Sequence, residues 1–421
     1  MTSRRRLPVA IASWPRLRHQ APADHQAWDR DQVVTFDVAI VGGGIMGLWA
    51  ARHALNAGLK TVVVERDRCG AGASGTVLGA LLPHLPRSMS AKKAFQFAAL
   101  AELSELVAQL EAETGQTTGY TRCGRIMPVR TQRFRDSAEI AIAEAQVHWR
   151  TDDASTSPAF NLAIVDAEHY DNWIDPDEAP LGVLRDALSA RVLAGEYIGT
   201  LAADVRARGA IVESALVSDL DLTAGRLVGP TGPHEITADH IVVAAGFGSF
   251  PLLQRVTGQT FGGGVKGQAA LVEIEPQPTS RPVLYDNGVY VVPHTPTLCA
   301  IGSTSEMTFA DPATAPPEAA TEFISRASKL CPAVGRGTVI AHWAGVRPRC
   351  AAKEPMVGQL APASSKTDAT LWALTGGYKI SFGIAHRLAR RLIEEITNAD
   401  HLTPIPETYA ADYHLRHAGA P

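Results

Sequence analysis

Residues 36–65 read FDVAIVGGGIMGLWAARHALNAGLKTVVVE. The apolar run Phe36–Val41 has the length and β-branched content of a buried strand, and Thr61–Val64 repeats that character. Between them the apolar positions follow helical spacing, so the segment reads as strand, glycine turn, helix, strand. Gly42, Gly44 and Gly47 fit G-x-G-x-x-G at the start of the helix. In that pattern the first glycine permits the tight turn, the second lets the backbone approach a pyrophosphate, and the third lets helix and strand pack closely. A helix N-terminus presents free N–H groups and a positive dipole end to the phosphates. Glu65 falls about 20 residues on, where a carboxylate holds the ribose hydroxyls of a dinucleotide. An ordinary βαβ unit leaves both the glycine triplet and Glu65 without a role.

With 421 residues the chain is long for one small core, and two domains are expected. Hydrophobic residues make up 46% and charged residues 19%, a globular composition. The formal net charge of −4 supplies no electrostatic reason to expect nucleic acid or an anionic membrane as partner. Five cysteines are scattered without C-x-x-C spacing, which suits a reducing compartment and argues against a disulfide framework or a zinc site. The apolar run Leu7–Trp14 follows basic residues but is short and is interrupted at Pro15-Arg16, so it does not read as an export signal. No stretch approaches the about 18 apolar residues of a membrane span. The expectation is a cytoplasmic protein with residues 1–34 as an irregular extension and 397–421 as a loose tail.

Further elements follow from periodicity and turn residues. A long amphipathic helix is predicted over Ala91–Glu113, and others near 136–147, 181–208 and 317–330. Short strands are predicted at 124–129, 161–166, 210–222, 225–229 and 338–343, and alternating segments at 269–275, 283–292 and 298–304. ITADHIVVAAGFGS (236–249) returns to a buried strand ending in a glycine turn at Gly246, and LWALTGGYKISFGIAHRLARRLIEEI (371–396) is another strand, glycine turn and helix beginning near Gly383. The strands at 36–41, 61–64, 241–245 and 371–374 are expected to share one parallel sheet, with an antiparallel layer built from the intervening blocks.

Four blocks together carry a resemblance: IVGGGIMG…VVVERD…GAGASGTVLGALLP, ADHIVVAAGFGS, HWAGVRPRCAAKEPMVG and TGGYKISFGIAHRLA. Over residues 36–396 the chain resembles the FAD-dependent amine and amino-acid oxidoreductases that include D-amino-acid oxidase, glycine oxidase and sarcosine oxidase. The resemblance implies an α/β fold in which an FAD-binding Rossmann-like domain of glutathione-reductase type joins an antiparallel-sheet substrate domain, discontinuous in sequence. The FAD-binding parts would be about 35–115, 180–250 and 345–396, and the substrate parts about 116–179 and 251–344. It implies oxidation of the C–N bond of an amino acid or secondary amine by hydride transfer to flavin N5, giving an imine that water hydrolyses. Oxygen or another acceptor would take the electrons.

The same resemblance assigns residues. Gly42, Gly44 and Gly47 would face the pyrophosphate and Glu65 the adenosine ribose, while Val217 falls where the family contacts adenine. Ala73 and Ser74 would pass beside the flavin ring, and Gly246 belongs to the cofactor-binding turns. Gly376, Gly377, Tyr378 and Lys379 precede a helix whose N-terminus would stabilise negative charge near flavin N1 and O2. Arg347 matches the arginine that pairs with substrate carboxylate, a task suited to a planar fork; the alternative is an interdomain salt bridge. Lys379 lies near a carboxylate-binding lysine of sarcosine oxidase, or is an exposed loop lysine, and Tyr290 points to substrate or packs in the core. His84 could sit near the flavin, but a structural role suits it better. Ala300 stands where sarcosine oxidase has an oxygen-activating lysine, and Cys350 is out of register with its flavin-attaching cysteine, so the FAD is expected to be non-covalent. Two rivals stay open: a glycine-oxidase-like tRNA-modifying flavoprotein, suggested by GASGTVLGALLP, and a flavin-binding subunit of a hetero-oligomer without turnover of its own.

Overall fold

The computed structural model describes residues 33–150, 160–230, 235–312, 314–361 and 368–418. Two sheets organise the chain. The first runs in the spatial order Met356–Ala361, Thr370–Thr375, Glu235–Val243, Val33–Val41, Thr61–Val64, Ala210–Val212. Along this order all neighbouring pairs are parallel except the edge pair of Met356–Ala361 with Thr370–Thr375; off it, Arg226–Val228 pairs antiparallel with Glu235–Val243 and with Asp219–Asp221. Such a sheet must be covered on both faces, which is why its strands are apolar throughout rather than alternating. Val38 and Ile40 enter the core formed with the helices Ile45–Asn56, Ala91–Thr114, Ala194–Arg208 and Ser381–Ile396. Ala39 and Val41 enter a second core with Leu220, Leu227, Phe250 and Leu253.

The second sheet has the order Thr338–Cys350, Gly262–Glu273, Leu298–Gly302, Val289–Thr295, Val283–Asp286, Arg125–Pro128, Val183–Asp186, Leu162–Val165. Its pairs are antiparallel apart from Val283–Asp286 beside Arg125–Pro128. The two long strands at its edge, 262–273 and 338–350, set Val265 opposite Arg347. The segment expected as one alternating run over 283–292 is a hairpin that turns at Asn287-Gly288, both with positive φ.

Several expectations are corrected. The stretch 181–208 is not one helix. Val183–Asp186 is a strand of the second sheet, Ala190–Arg191 pairs with Ala80–Leu81, and the helix starts only at Ala194. The run has apolar residues at helical spacing, but tertiary pairing overrides it. Asp186 is fully buried against Arg125 at 2.7 Å and also accepts from the Ser189 N–H. The strand expected at 338–343 continues to Cys350, so Arg347 projects from the second sheet. The strand-like run 210–222 resolves into Ala210–Val212 and Asp219–Asp221, which lie in different parts of the first sheet. In the expected N-terminal extension, Val33 and Val34 already belong to the first strand; residues 1–32 lie outside the described residues.

The described part of the expected tail, to residue 418, is also not loose. Helix Ala411–His417 packs beside strand 356–361, and His414 Nε2 lies 2.9 Å from the Pro355 carbonyl oxygen. Tyr409 is 2% exposed, with its ring edge-on to Phe95 at 5.5 Å. The polar, proline-containing sequence conceals a few apolar anchors. Because Tyr409 fills a buried site, Tyr409→Ala should cost about 3–5 kcal/mol in urea unfolding. A loss below about 1 kcal/mol would show that the tail is not docked.

Candidate active site

Gly42 ends the first strand at φ 115°, where a Cβ would lie 2.5 Å from the Ala244 carbonyl oxygen. A Cβ at Gly47 would lie 2.0 Å from the Gly42 carbonyl oxygen. Any side chain there would push the Ile45–Asn56 helix off the sheet and move its N-terminus. Gly44 is the N-cap of that helix, and no side-chain cap satisfies its first turn from that position. Ser74 Oγ accepts from the Ile45 N–H at 3.0 Å. Ser74 thus stands at the N-terminus of the Ile45–Asn56 helix. Glu65 accepts from the Gly43 N–H at 2.8 Å and from the Asp67 N–H at 3.0 Å.

Gly42, Gly44, Glu65 and Ser74 line one end of a cleft of about 270 Å³, with Ala73 and Val217, while Gly47 lies behind it. Gly246 also lines it, at φ 61°. The cleft continues along the first turn of the Ser381–Ile396 helix to Tyr290, Arg347, Tyr378 and Lys379. Gly376 and Gly377 shape the turn without lining the cleft. Gly376 has φ 78° and would drive a Cβ to 2.3 Å from Cys350 Sγ, while a Cβ on Gly377 would meet Met46 and Ser381 at 2.4 Å. The helix after them begins at Ser381, two residues ahead of the expected Gly383, and has no side-chain cap.

At the far end Arg347 is held but only half satisfied. Its Nη2 donates to Ser303 Oγ at 3.2 Å and to the Thr304 carbonyl oxygen at 3.0 Å. Its Nη1 is buried with no hydrogen-bond partner. Burial pushes the guanidinium pKa down. Among the described residues Arg347 has no carboxylate within ion-pair distance, which disposes of the salt-bridge alternative there. Gly267 on the neighbouring strand leaves room for the fork, since a Cβ would lie 1.7 Å from Nη2.

Tyr378 stands beside it with φ 45°, left-handed backbone that is unusual for a bulky residue and tends to mark functional sites. Its ring centroid is 5.7 Å from the Arg347 guanidinium, 5.5 Å from that of Arg349 and 5.6 Å from the Lys379 ammonium. Burial disfavours the ionised phenol, but a hydrogen bond with Ser305 and these three cations outweigh it and draw the pKa down. Burial lowers the Lys379 pKa, assisted by the charges of Arg347 and Arg349. Tyr290, packed on Tyr285 at 4.9 Å, is pushed up to about 12, chiefly by burial. Among the described residues lining the cleft, Glu65 is the only acid, and it lies at the opposite end.

His84 is exposed, bonded to Gln96 and outside the cleft. Ala300 is wholly buried in a small core with Leu271, Val283 and Val292, and Cys350 lies behind Gly376, out of the cleft. Sequence reading missed Gly267, Ser303, Trp343 and Phe247, the last three of which line the cleft. Ser303 and Trp343 lie within stretches read as informative, whereas the role of Gly267 appears only once the strand register is known.

Residues 37–392 match the family described as DAO, FAD dependent oxidoreductase. The chain belongs to this family and is an FAD-dependent oxidoreductase. The bifunctional protein ThiO/ThiG of Nostoc sp. (strain PCC 7120) is 28% identical over 342 residues, 77% of this chain, but the match spans only 48% of that protein. The chain thus spans about half the length of the bifunctional relatives it matches. The glycine oxidase of Geobacillus kaustophilus is 26% identical over 330 residues, 77% of this chain and 84% of the relative. A crystal structure of glycine oxidase from that organism superposes with a TM-score of 0.75, covering 90% of this chain and 98% of the other at 21% identity, and so has the same fold. Among the described residues no helix is long and apolar enough to cross a membrane.

The helix N-terminus at Gly44, the glycine cradle and the carboxylate of Glu65 fit the family's FAD. Glu65→Ala should weaken FAD binding by about 1.5–3 kcal/mol through lost charge-assisted hydrogen bonds, read from flavin retention on dilution. Gly267→Ala should displace the Arg347 fork and weaken carboxylate ligands about tenfold or more while FAD content is kept. Unchanged carboxylate affinity would mean that Arg347 is not held as described.

Proposed function

We propose that this enzyme oxidises the C–N bond of an amino acid or carboxylate-bearing secondary amine, and that Arg347 holds the carboxylate. The observation that carries this reading is the buried Arg347 Nη1 without a partner, in the same cleft as the fingerprint glycines and Glu65. A buried polar donor left unpaired is costly and points to a ligand that completes it. The glycine oxidase relatives support an amino-acid substrate. FAD, when bound, would supply the two-electron acceptor, taking the hydride of the C–N bond's carbon at N5 and leaving an imine for water to hydrolyse.

The chain's own residues bind, orient and dry the substrate. Arg347 offers Nη1 to the carboxylate while Ser303 and Thr304 anchor Nη2, so the fork cannot swing away. Tyr290 and Trp343 line the cleft and shield it from water. The cations Arg347, Arg349 and Lys379 disfavour an ammonium close by, so the bound amine is held neutral without a dedicated base. Fixed charge and orientation supply most of what such a reaction requires. A non-covalent FAD is supported by a cleft lining without cysteine among the described residues and by the burial of the Cys350 thiol, which is pushed up to about 12.

Acid or heat precipitation should therefore release intact FAD into the supernatant; flavin that stays with the denatured protein would refute non-covalent binding. Arg347→Ala should lower the specificity constant for the best amino-acid substrate by about 2–5 kcal/mol, roughly 30- to several-thousand-fold, in anaerobic flavin reduction. Arg347→Lys should recover only part, since an ammonium lacks the planar fork. Equal rates and affinities in all three proteins would make Arg347 structural and favour a plain amine substrate.

A further inference from the structure

We infer that the substrate end of the cleft is built for a ligand with two anionic groups, one on Arg347 and a second at the mouth on Lys379 and Arg349. The inference rests on the carboxylate-binding reading of Arg347 given above and extends it to the substrate class.

Three cations converge on one ring here. Arg347 and Arg349 are two residues apart on the strand Thr338–Cys350, so their side chains leave the same face. The turn carrying Tyr378 and Lys379 is tied to that strand between them, because the Tyr378 N–H donates to the Pro348 carbonyl oxygen at 3.1 Å. The left-handed backbone at Tyr378 then sets its ring 5.5–5.7 Å from all three charges. Arg347 lies inside and half-buried, whereas Lys379 is at the exposed rim of the same cleft. Arg349 reaches the exposed Met307, with Nη1 3.6 Å from its sulfur.

None of the three has a carboxylate within ion-pair distance among the described residues, although ion pairs are frequent elsewhere in the chain. The nearest acidic charge acting on Arg347 is Glu306, whose carboxylate already accepts from Thr304 and Gln268. Like charges held together raise the energy of the free protein and favour whatever neutralises them. Hydrogen bonds from the neutral Thr304 and Gln268 leave Glu306 charged, so it offsets one of the three positive charges and leaves two. A single α-carboxylate on a neutral amine would still leave one, and a second anionic group completes the balance. Surface lysines ordinarily carry no such meaning; here the cluster is fixed by a strand and a strained turn, and two of its cations, Arg347 and Lys379, line the reaction cleft, with Arg349 beside them across the Tyr378 ring.

Calorimetric titration of the FAD-loaded protein at constant ionic strength tests this with succinate against butyrate and glutarate against pentanoate. The better dicarboxylate should bind about tenfold or more tightly than the monocarboxylate of equal length, and added salt should shrink that gap. Arg349→Gln should shrink the ratio of dicarboxylate to monocarboxylate affinity, and Arg347→Ala should abolish binding of both classes. Equal affinity for the two classes in the parent would overturn the dianionic site and leave the role of Arg347 intact. Binding of neither class would overturn both.

Discussion

The close approach of the Ile45–Asn56 helix to the first strand is the constraint on which the cofactor end of the cleft depends. With Gly42 wedged against the end of strand 235–243 and Gly47 against Gly42, the helix N-terminus is held over the carboxyl ends of the parallel strands. Ligands of open α/β sheets bind at that edge. Ser74 and Glu65 then reach the same place from later turns, and each bonds a backbone N–H next to the glycines. The helix is buried on nearly every side, with Arg52 paired to Asp204 at 2.8 Å and Glu113 at 2.6 Å, so little freedom remains to move the site.

A second support carries the opposite end. Helix Ser381–Ile396 packs on Ile45–Asn56, and Arg387 and Arg390 both bond Glu102 on the 91–114 helix, at 2.9 and 2.8 Å. Its N-terminus and the Tyr378 turn before it face the long strand that carries Arg347. The cleft thus runs from Glu65 and Arg66 at one end to Arg347, Tyr378 and Lys379 at the other.

The parallel sheet was legible because each of its strands is a continuous apolar run next to a glycine turn, a pattern that few other arrangements satisfy. Gly42, Gly44, Gly47 and Glu65 were legible for the same reason, being fixed by local spacing. The strand Val183–Asp186 was hidden inside an apparent helix, since its identity comes from pairing with Arg125–Pro128 and from the buried Asp186–Arg125 contact rather than from its own period. Arg347 could be singled out from its block, yet what makes it chemically significant could not: the half-satisfied fork, the space above Gly267 and the neighbouring charges of Arg349 and Lys379 arise from strand register and from a left-handed turn. The docked C-terminus was missed because a few anchors, Tyr409 foremost, are diluted in a polar stretch.

The central claim is that a substrate carboxylate completes the Arg347 fork. It is tested most directly by anaerobic flavin reduction with a matched pair, sarcosine and dimethylamine, or the corresponding pair for whichever amino acid proves the better substrate. The account predicts that the amino acid reduces the flavin with a specificity constant about 30-fold to several-thousand-fold above that of the amine lacking the carboxylate. Equal reduction of both by the parent enzyme would contradict it.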